Sequence, residues 1–110
     1  GEGVVVDKVE ALRWFRLAAD QGHAKAQNSV GYMYDRWFRL AADQGYAGWF
    51  RLAADQGYAS GQVMVGNAYY VGKGVAEDKV EALRWYHLAA DQGDARAQFN
   101  IGYAKVMPRG

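Results

Sequence analysis

An all-α repeat fold is predicted by three features of the sequence. The string Trp-(Phe/Tyr)-(Arg/His)-Leu-Ala-Ala-Asp-Gln-Gly occurs four times, at 14–22, 37–45, 49–57 and 85–93. A second string, Ala-x-(Ala/Gly)-Gln-x-x-(Val/Ile)-Gly, occurs at 24–31, 59–66 and 95–102. Within both strings apolar residues recur at three-to-four spacing, the period of a helix that buries one face. We call the Trp-bearing segment helix B and the other helix A.

The first helix B is placed at 7–21. Asp7 followed by Glu10 reads as an N-cap with capping-box character. Gly22 is the natural terminator, because no Cβ opposes positive φ. Gly45, Gly57 and Gly93 occupy the same slot in the other copies. Helix A follows at 24–34, with Ala24, Gln27, Val30, Gly31 and Tyr34 sharing a face. A glycine inside a helix costs about 1 kcal/mol against alanine. Its return at Gly31, Gly66 and Gly102 therefore points to close approach of a neighbouring helix.

The segment 35–57 is irregular. Trp14 to Trp37 and Trp37 to Trp49 are 23 and 12 residues, against 36 from Trp49 to Trp85. The connector and the start of helix B are missing after Asp35, and most of a helix A is missing around Tyr46-Ala47-Gly48. Deletion, designed rearrangement, or segments absent from the written chain all fit. An intact mass well above 12.2 kDa would support the last. A continuous chain has no breaker between Tyr34 and Trp37, which predicts one helix from 24 to 42, then a short helix over 49–56.

Regularity returns with helix A at 59–70, a loop over 71–77 containing Gly72-Lys73-Gly74, helix B at 78–92 and a last helix A at 95–105. Asp78 and Glu81 repeat the capping pattern. Val80, Leu83, Trp85 or Tyr86, Leu88, Ala89 and Ala90 supply the apolar positions, and all four tryptophans are expected as core wedges.

These residues resemble the SEL-1-like repeat family, whose pattern runs Ala-x-Ala-Gln-x-x-Leu-Gly-x-x-Tyr, a Gly-x-Gly-Val loop, then Asp-x-x-x-Ala-x-x-Trp-(Tyr/Phe)-x-x-Ala-Ala-x-Gln-Gly. Residues 59–93 match almost throughout, with Val65 where leucine is usual. The tetratricopeptide repeat is a near relative with a less fitting 34-residue period. The resemblance implies a solenoid of antiparallel helix pairs stacked into a superhelix, with helix A on the inner side and adaptor roles in assembling complexes.

Composition narrows the function classes. The net charge is +1, from 13 basic and 12 acidic residues, without the basic excess of a nucleic-acid binder. There is no cysteine, hence no disulfide or thiolate metal site, and no 18-residue apolar run. The N-terminus lacks the basic and apolar regions of a signal peptide. Compartment and organism are not legible.

No catalytic constellation emerges and no cofactor is implied. His23 and His87 stand alone and are read as solvent-facing variants. Ser29 and Ser60 are the only serines, neither in a nucleophile elbow. Gly72-Lys73-Gly74 is a repeat linker, not a phosphate loop. Asp20, Asp43, Asp55 and Asp91 are expected to turn toward the next segment's amides. Some SEL-1-like proteins are linked to β-lactam binding or hydrolysis, but those are cysteine-rich.

Positions that differ between copies are read as free of packing. On helix A these are Lys25/Ser60/Arg96, Asn28/Val63/Phe99, Ser29/Met64/Asn100 and Tyr32/Asn67/Tyr103, at i, i+3, i+4 and i+7. The candidate partner-binding residues are Lys25, Asn28, Tyr32, Val63, Asn67, Arg96, Phe99 and Tyr103. The expected activity is a protein-interaction scaffold holding a protein or peptide. The alternative is an engineered or rearranged module without a ligand, self-associating through its terminal helices.

Overall fold

In a computed structural model, residues 7–34 and 42–107 are described, the side chains of 42–47 excepted. Six helices follow in order: α1 (Lys8–Asp20), α2 (Ala24–Met33), α3 (Ala42–Asp55), α4 (Ala59–Val71), α5 (Lys79–Ala90) and α6 (Ala95–Val106). No strand occurs among the described residues. Each helix packs on those before and after it, giving an elongated solenoid of 50 × 29 × 27 Å.

Helix ends are set by local chemistry. The Asp7 and Asp78 carboxylates accept from the Glu10 and Glu81 amides at 2.9 and 3.0 Å. The Ala-Ala-Asp-Gln-Gly strings close α1, α3 and α5 the same way. Gly22 donates to Ala19 and His23 to Ala18, Gly57 to Ala54 and Tyr58 to Ala53, Gly93 to Ala90 and Asp94 to Ala89. This paired pattern needs a left-handed residue, and Gly22, Gly57 and Gly93 have φ of 90°, 88° and 91°.

The irregular centre departs from the expectation. α3 starts at Ala42, well before residue 49, and runs through Gly45. Gly45 therefore does not terminate a helix. Too few residues follow it to build a helix A, so a turn there would lead nowhere. Carrying on adds a full turn and more, bringing α3 to 14 residues. Of the expected continuous helix 24–42, residues 35–41 lie outside those described.

The core is a chain of small clusters strung along the stack, as in a solenoid. Ala19, Ala26 and Val30 form one, Phe50, Ala54, Val65, Ala68 and Trp85 the next, and Val63, Ala82, Tyr86, Ala89 and Ala97 the third. On α5 the buried face is thus Ala82, Trp85, Tyr86 and Ala89. Val80 and Leu88, expected on it, are exposed.

The helix A glycines are seats for helix B aromatics. A Cβ at Gly31 would lie 3.0 Å from the Phe50 ring. One at Gly66 would lie 2.6 Å from the Tyr86 ring and 3.2 Å from the Ala82 carbonyl. At Gly102 nothing stands within 4 Å. Gly66→Ala should therefore destabilise by about 1–2 kcal/mol, overpacking outweighing the gain in helix propensity. Gly102→Ala, at the equivalent position, should stabilise by up to about 1 kcal/mol. Urea denaturation of the dilute chain reads both, and the same sign at both sites would refute the seating.

Successive helices B are tied by a second repeated contact. The Arg16 guanidinium lies 5.3 Å from the Trp49 ring centre, and Arg51 lies 5.0 Å from that of Trp85. Among the described residues no helix B precedes Trp14. It is 62% exposed, against 8% for Trp85, and its indole N–H donates to Glu10 at 2.9 Å. It is not the core wedge its sequence predicts. Trp37 lies outside the described residues.

A glutamine relay links the pairs. The buried Gln27 amide donates to the Ala19 carbonyl at 3.2 Å and accepts from Gln56 at 2.6 Å. Gln62 donates to Ala54 at 3.4 Å and accepts from Gln92 at 2.9 Å.

Candidate protein-interaction surface

Helices α2, α4 and α6 are the three helices A, and their side chains meet in a row. Asn28 donates to Ser60 Oγ at 3.1 Å. The Tyr32 hydroxyl donates to Met64 Sδ at 3.4 Å, and Asn100 donates to Asn67 Oδ1 at 3.5 Å. On α6 the Arg96 guanidinium pairs with Asp94 at 3.1 Å. This surface is continuous because each helix A sets one position against the preceding turn of the next, as Tyr32 meets Met64 and Asn67 meets Asn100.

Asp94 anchors Arg96. Its carboxylate caps α6, accepting from the Ala97 amide at 3.1 Å, and pairs with Arg96 at 3.1 Å. Burial opposes ionisation of Asp94, but the Arg96 hydrogen bond and the Ala97 amide outweigh it and hold the carboxyl below the usual range. His23 is the equivalent cap on α2, where its Nδ1 accepts from Ala26 at 3.1 Å. It is an exposed side chain with a structural task. Asp55 does not turn toward the next segment but pairs with Arg51 at 3.0 Å.

The eight candidate residues divide four ways. Tyr32, Asn67 and Arg96 lie on the row, Tyr32 and Asn67 both meeting Met64, Asn67 also meeting Asn100, and Arg96 pairing with Asp94. Lys25 is exposed in the first turn of α2. Phe99 and Tyr103 stack at 6.2 Å and are 69% and 47% exposed. Asn28 and Val63 are buried, which corrects the inference that variation between copies means freedom from packing. Val63 packs with Ala82, Tyr86, Ala89 and Ala97, and Asn28 Oδ1 is buried without a hydrogen-bond partner among the described residues.

Met64 and Asn100 were passed over in sequence although they belong to one varying set. Tyr70 and Tyr86 gave no functional signal there. With Asn67, Val71, Asn100 and Tyr103 they line a pocket of about 230 Å³ at one end of the row. The Tyr86 hydroxyl donates to Asn67 Oδ1 at 2.6 Å. Burial, then the neighbouring Tyr70, pushes the Tyr86 hydroxyl up to about 12.

A tyrosine that stays protonated longer in the folded than in the unfolded chain stabilises fully below pH ~10 and loses that contribution as pH rises toward 12. Stability should fall by about 1–2 kcal/mol across that window, and Tyr86→Phe should flatten the slope. Urea midpoints between pH 9 and 11.5 test this, and equal slopes for both chains would count against it.

Among the described residues no group of three or more His, Cys, Asp or Glu could hold a metal ion. No helix there is long and apolar enough to cross a membrane.

The Sel1 repeat family model matches residues 1–23, 24–36, 36–46, 47–58 and 59–94. The chain belongs to the Sel1 repeat family. A Sel1 repeat protein from Oxalobacter formigenes is similar in structure, with 31% identity and a TM-score of 0.74 over 89% of this chain and 43% of that one. So is a protective antigen of uropathogenic Escherichia coli displaying an SLR fold, at 38% identity and a TM-score of 0.82 over 94% of this chain and 22% of that one. The cysteine rich protein B of Helicobacter pylori shares the fold at 18% identity and a TM-score of 0.77, over 84% of this chain and 70% of that one. The chain thus spans less than half of the first two. No curated protein matches it. Sel1 repeat proteins are generally protein-interaction scaffolds, typically without enzymatic activity. The Sel1 repeats here therefore supply the solenoid on which any partner surface is built.

Proposed function

We propose that this Sel1 repeat chain is a scaffold that holds an extended segment of a partner protein along the row formed by α2, α4 and α6. The run of hydrogen bonds between successive helices A, Asn28 to Ser60, Tyr32 to Met64 and Asn100 to Asn67, carries the reading. It joins three helices into one surface with an arginine, an aromatic ring and the amides of Asn67 and Asn100, groups suited to peptide backbone and carboxylate. The pocket beside Asn67 would take one partner side chain.

A phage-displayed library of random peptides, selected on the intact chain, tests the proposal. Enriched peptides should lose about tenfold or more in affinity for the Tyr32→Ala/Arg96→Ala double variant, as hot-spot truncations do. Peptides that bind both chains equally would remove this surface. No enrichment would favour a module without a ligand, the reading that the two shortened spacings support.

A further inference from the structure

The rings that α3 and α5 seat on the helix A before them meet different neighbours. Phe50 lies on Gly31 and Tyr86 on Gly66, and both rings are buried, at 0% and 3% exposure. The helix A residue that follows the seat differs with the ring. Tyr32 follows Gly31 and meets Phe50 edge-on, with ring centres 5.1 Å apart. Asn67 follows Gly66 and accepts from the Tyr86 hydroxyl at 2.6 Å. A ring without a polar atom thus faces a ring, and a ring with a hydroxyl faces an amide.

Each match has a consequence on the row. Tyr32 and Asn67 are half-buried, and both reach Met64 Sδ, the hydroxyl at 3.4 Å and the amide nitrogen at 3.9 Å. Phe50 offers no acceptor, so it makes no claim on the Tyr32 hydroxyl. The Asn67 amide is held one way round. Its Oδ1 takes two donors, Tyr86 at 2.6 Å and Asn100 at 3.5 Å, which fills both lone pairs. Turning the amide over would set its N–H groups against the Asn100 donor. The N–H groups of Asn67 therefore stay on the Met64 side.

We infer that Phe50 and Tyr86 are positioning residues matched to Tyr32 and Asn67, and that this matching fixes the hydrogen-bond donors that α2 and α4 turn toward Met64. Neither ring is exposed enough to touch a partner, and each acts through its helix A neighbour. Donors at this point select partner groups that accept hydrogen bonds, a consequence that rests on the row being the partner surface. Exchanging a ring breaks the match, because a tyrosine hydroxyl buried against another ring has lost its acceptor.

Urea denaturation and NMR of the full chain test this. Tyr86→Phe keeps a ring on Gly66 and should lower the urea midpoint. In an Asn67→Tyr background the same change should raise it, because the pair is then of the Tyr32–Phe50 kind. A ring that only filled space would give one sign in both backgrounds. In the isotope-labelled chain, the nuclear Overhauser effect from the Asn67 side-chain N–H groups to the Met64 methyl should weaken in Tyr86→Phe while the helical backbone signals persist. Peptides selected on the wild-type chain and lost with Tyr32→Ala/Arg96→Ala should bind Tyr86→Phe about threefold to tenfold more weakly, the scale of one hydrogen bond. A lowered midpoint in both backgrounds, or an unchanged Overhauser effect, would overturn the inference. Such peptides binding Tyr86→Phe at full strength would overturn the selection of acceptors. Peptides that survive Tyr32→Ala/Arg96→Ala would instead remove the row as the partner surface, and the first two measurements would still decide the matching.

Discussion

Phe50→Ala is expected to destabilise the chain by about 3–5 kcal/mol, the usual range for emptying a fully buried aromatic site. Phe50 has no exposed surface, and its ring lies on Gly31 with the edge of Tyr32 against it. Neither neighbour can fill the void, since Gly31 has no side chain and Tyr32 is held by Met64. A domain of this size has a total stability of only about 5–15 kcal/mol. In a solenoid the loss also falls on the neighbouring junctions, since Phe50 packs on Gly31 and Tyr32 of α2 and shares a cluster with Val65, Ala68 and Trp85 of α4 and α5. Urea unfolding followed by circular dichroism should show a lowered midpoint and a broadened transition as α1 and α2 uncouple from the rest. A loss below about 1 kcal/mol would mean that the ring does not hold the junction.

The second large effect compares two tryptophans that read identically in sequence. Trp85→Ala should cost about 3–5 kcal/mol, because the ring is buried among Phe50, Ala54, Val65 and Ala68 with Arg51 over its face. Trp14→Ala should cost about 1 kcal/mol or less, because that ring is mostly in solvent and loses only an exposed bond to Glu10. Trp85→Phe should be much milder than Trp85→Ala. It keeps most of the apolar area and removes an indole N–H that is buried without a partner among the described residues. Thermal and urea melts of the three variants check the order, and equal losses for Trp14→Ala and Trp85→Ala would contradict the assigned burial.

The candidate surface was only half legible before the fold was known. Comparing copies found Tyr32 and Asn67, which both meet Met64, and Arg96, which pairs with Asp94. It misplaced Asn28 and Val63, which vary because their neighbours vary with them: Asn28 faces Ser60, and Val63 faces Ala82 and Tyr86. Phe99 has the Val63 position on α6, and it is exposed because no helix B covers it there. Variation between copies thus records changes of packing partner as well as freedom from packing.

What the sequence alone determined was everything settled within a few residues of chain: the repeat, the aspartate caps, and the paired bonds that end helices at Gly22, Gly57 and Gly93. Those depend on hydrogen bonds and backbone angles that travel with the local string. Only the tertiary structure decided which copy of a shared string is buried. Trp14 and Trp85 begin nearly the same helix, and Gly66 and Gly102 lie in nearly the same motif, yet one of each pair is covered and the other open. Burial is a property of the neighbour, and in a one-dimensional stack the neighbours at the ends differ from those in the middle.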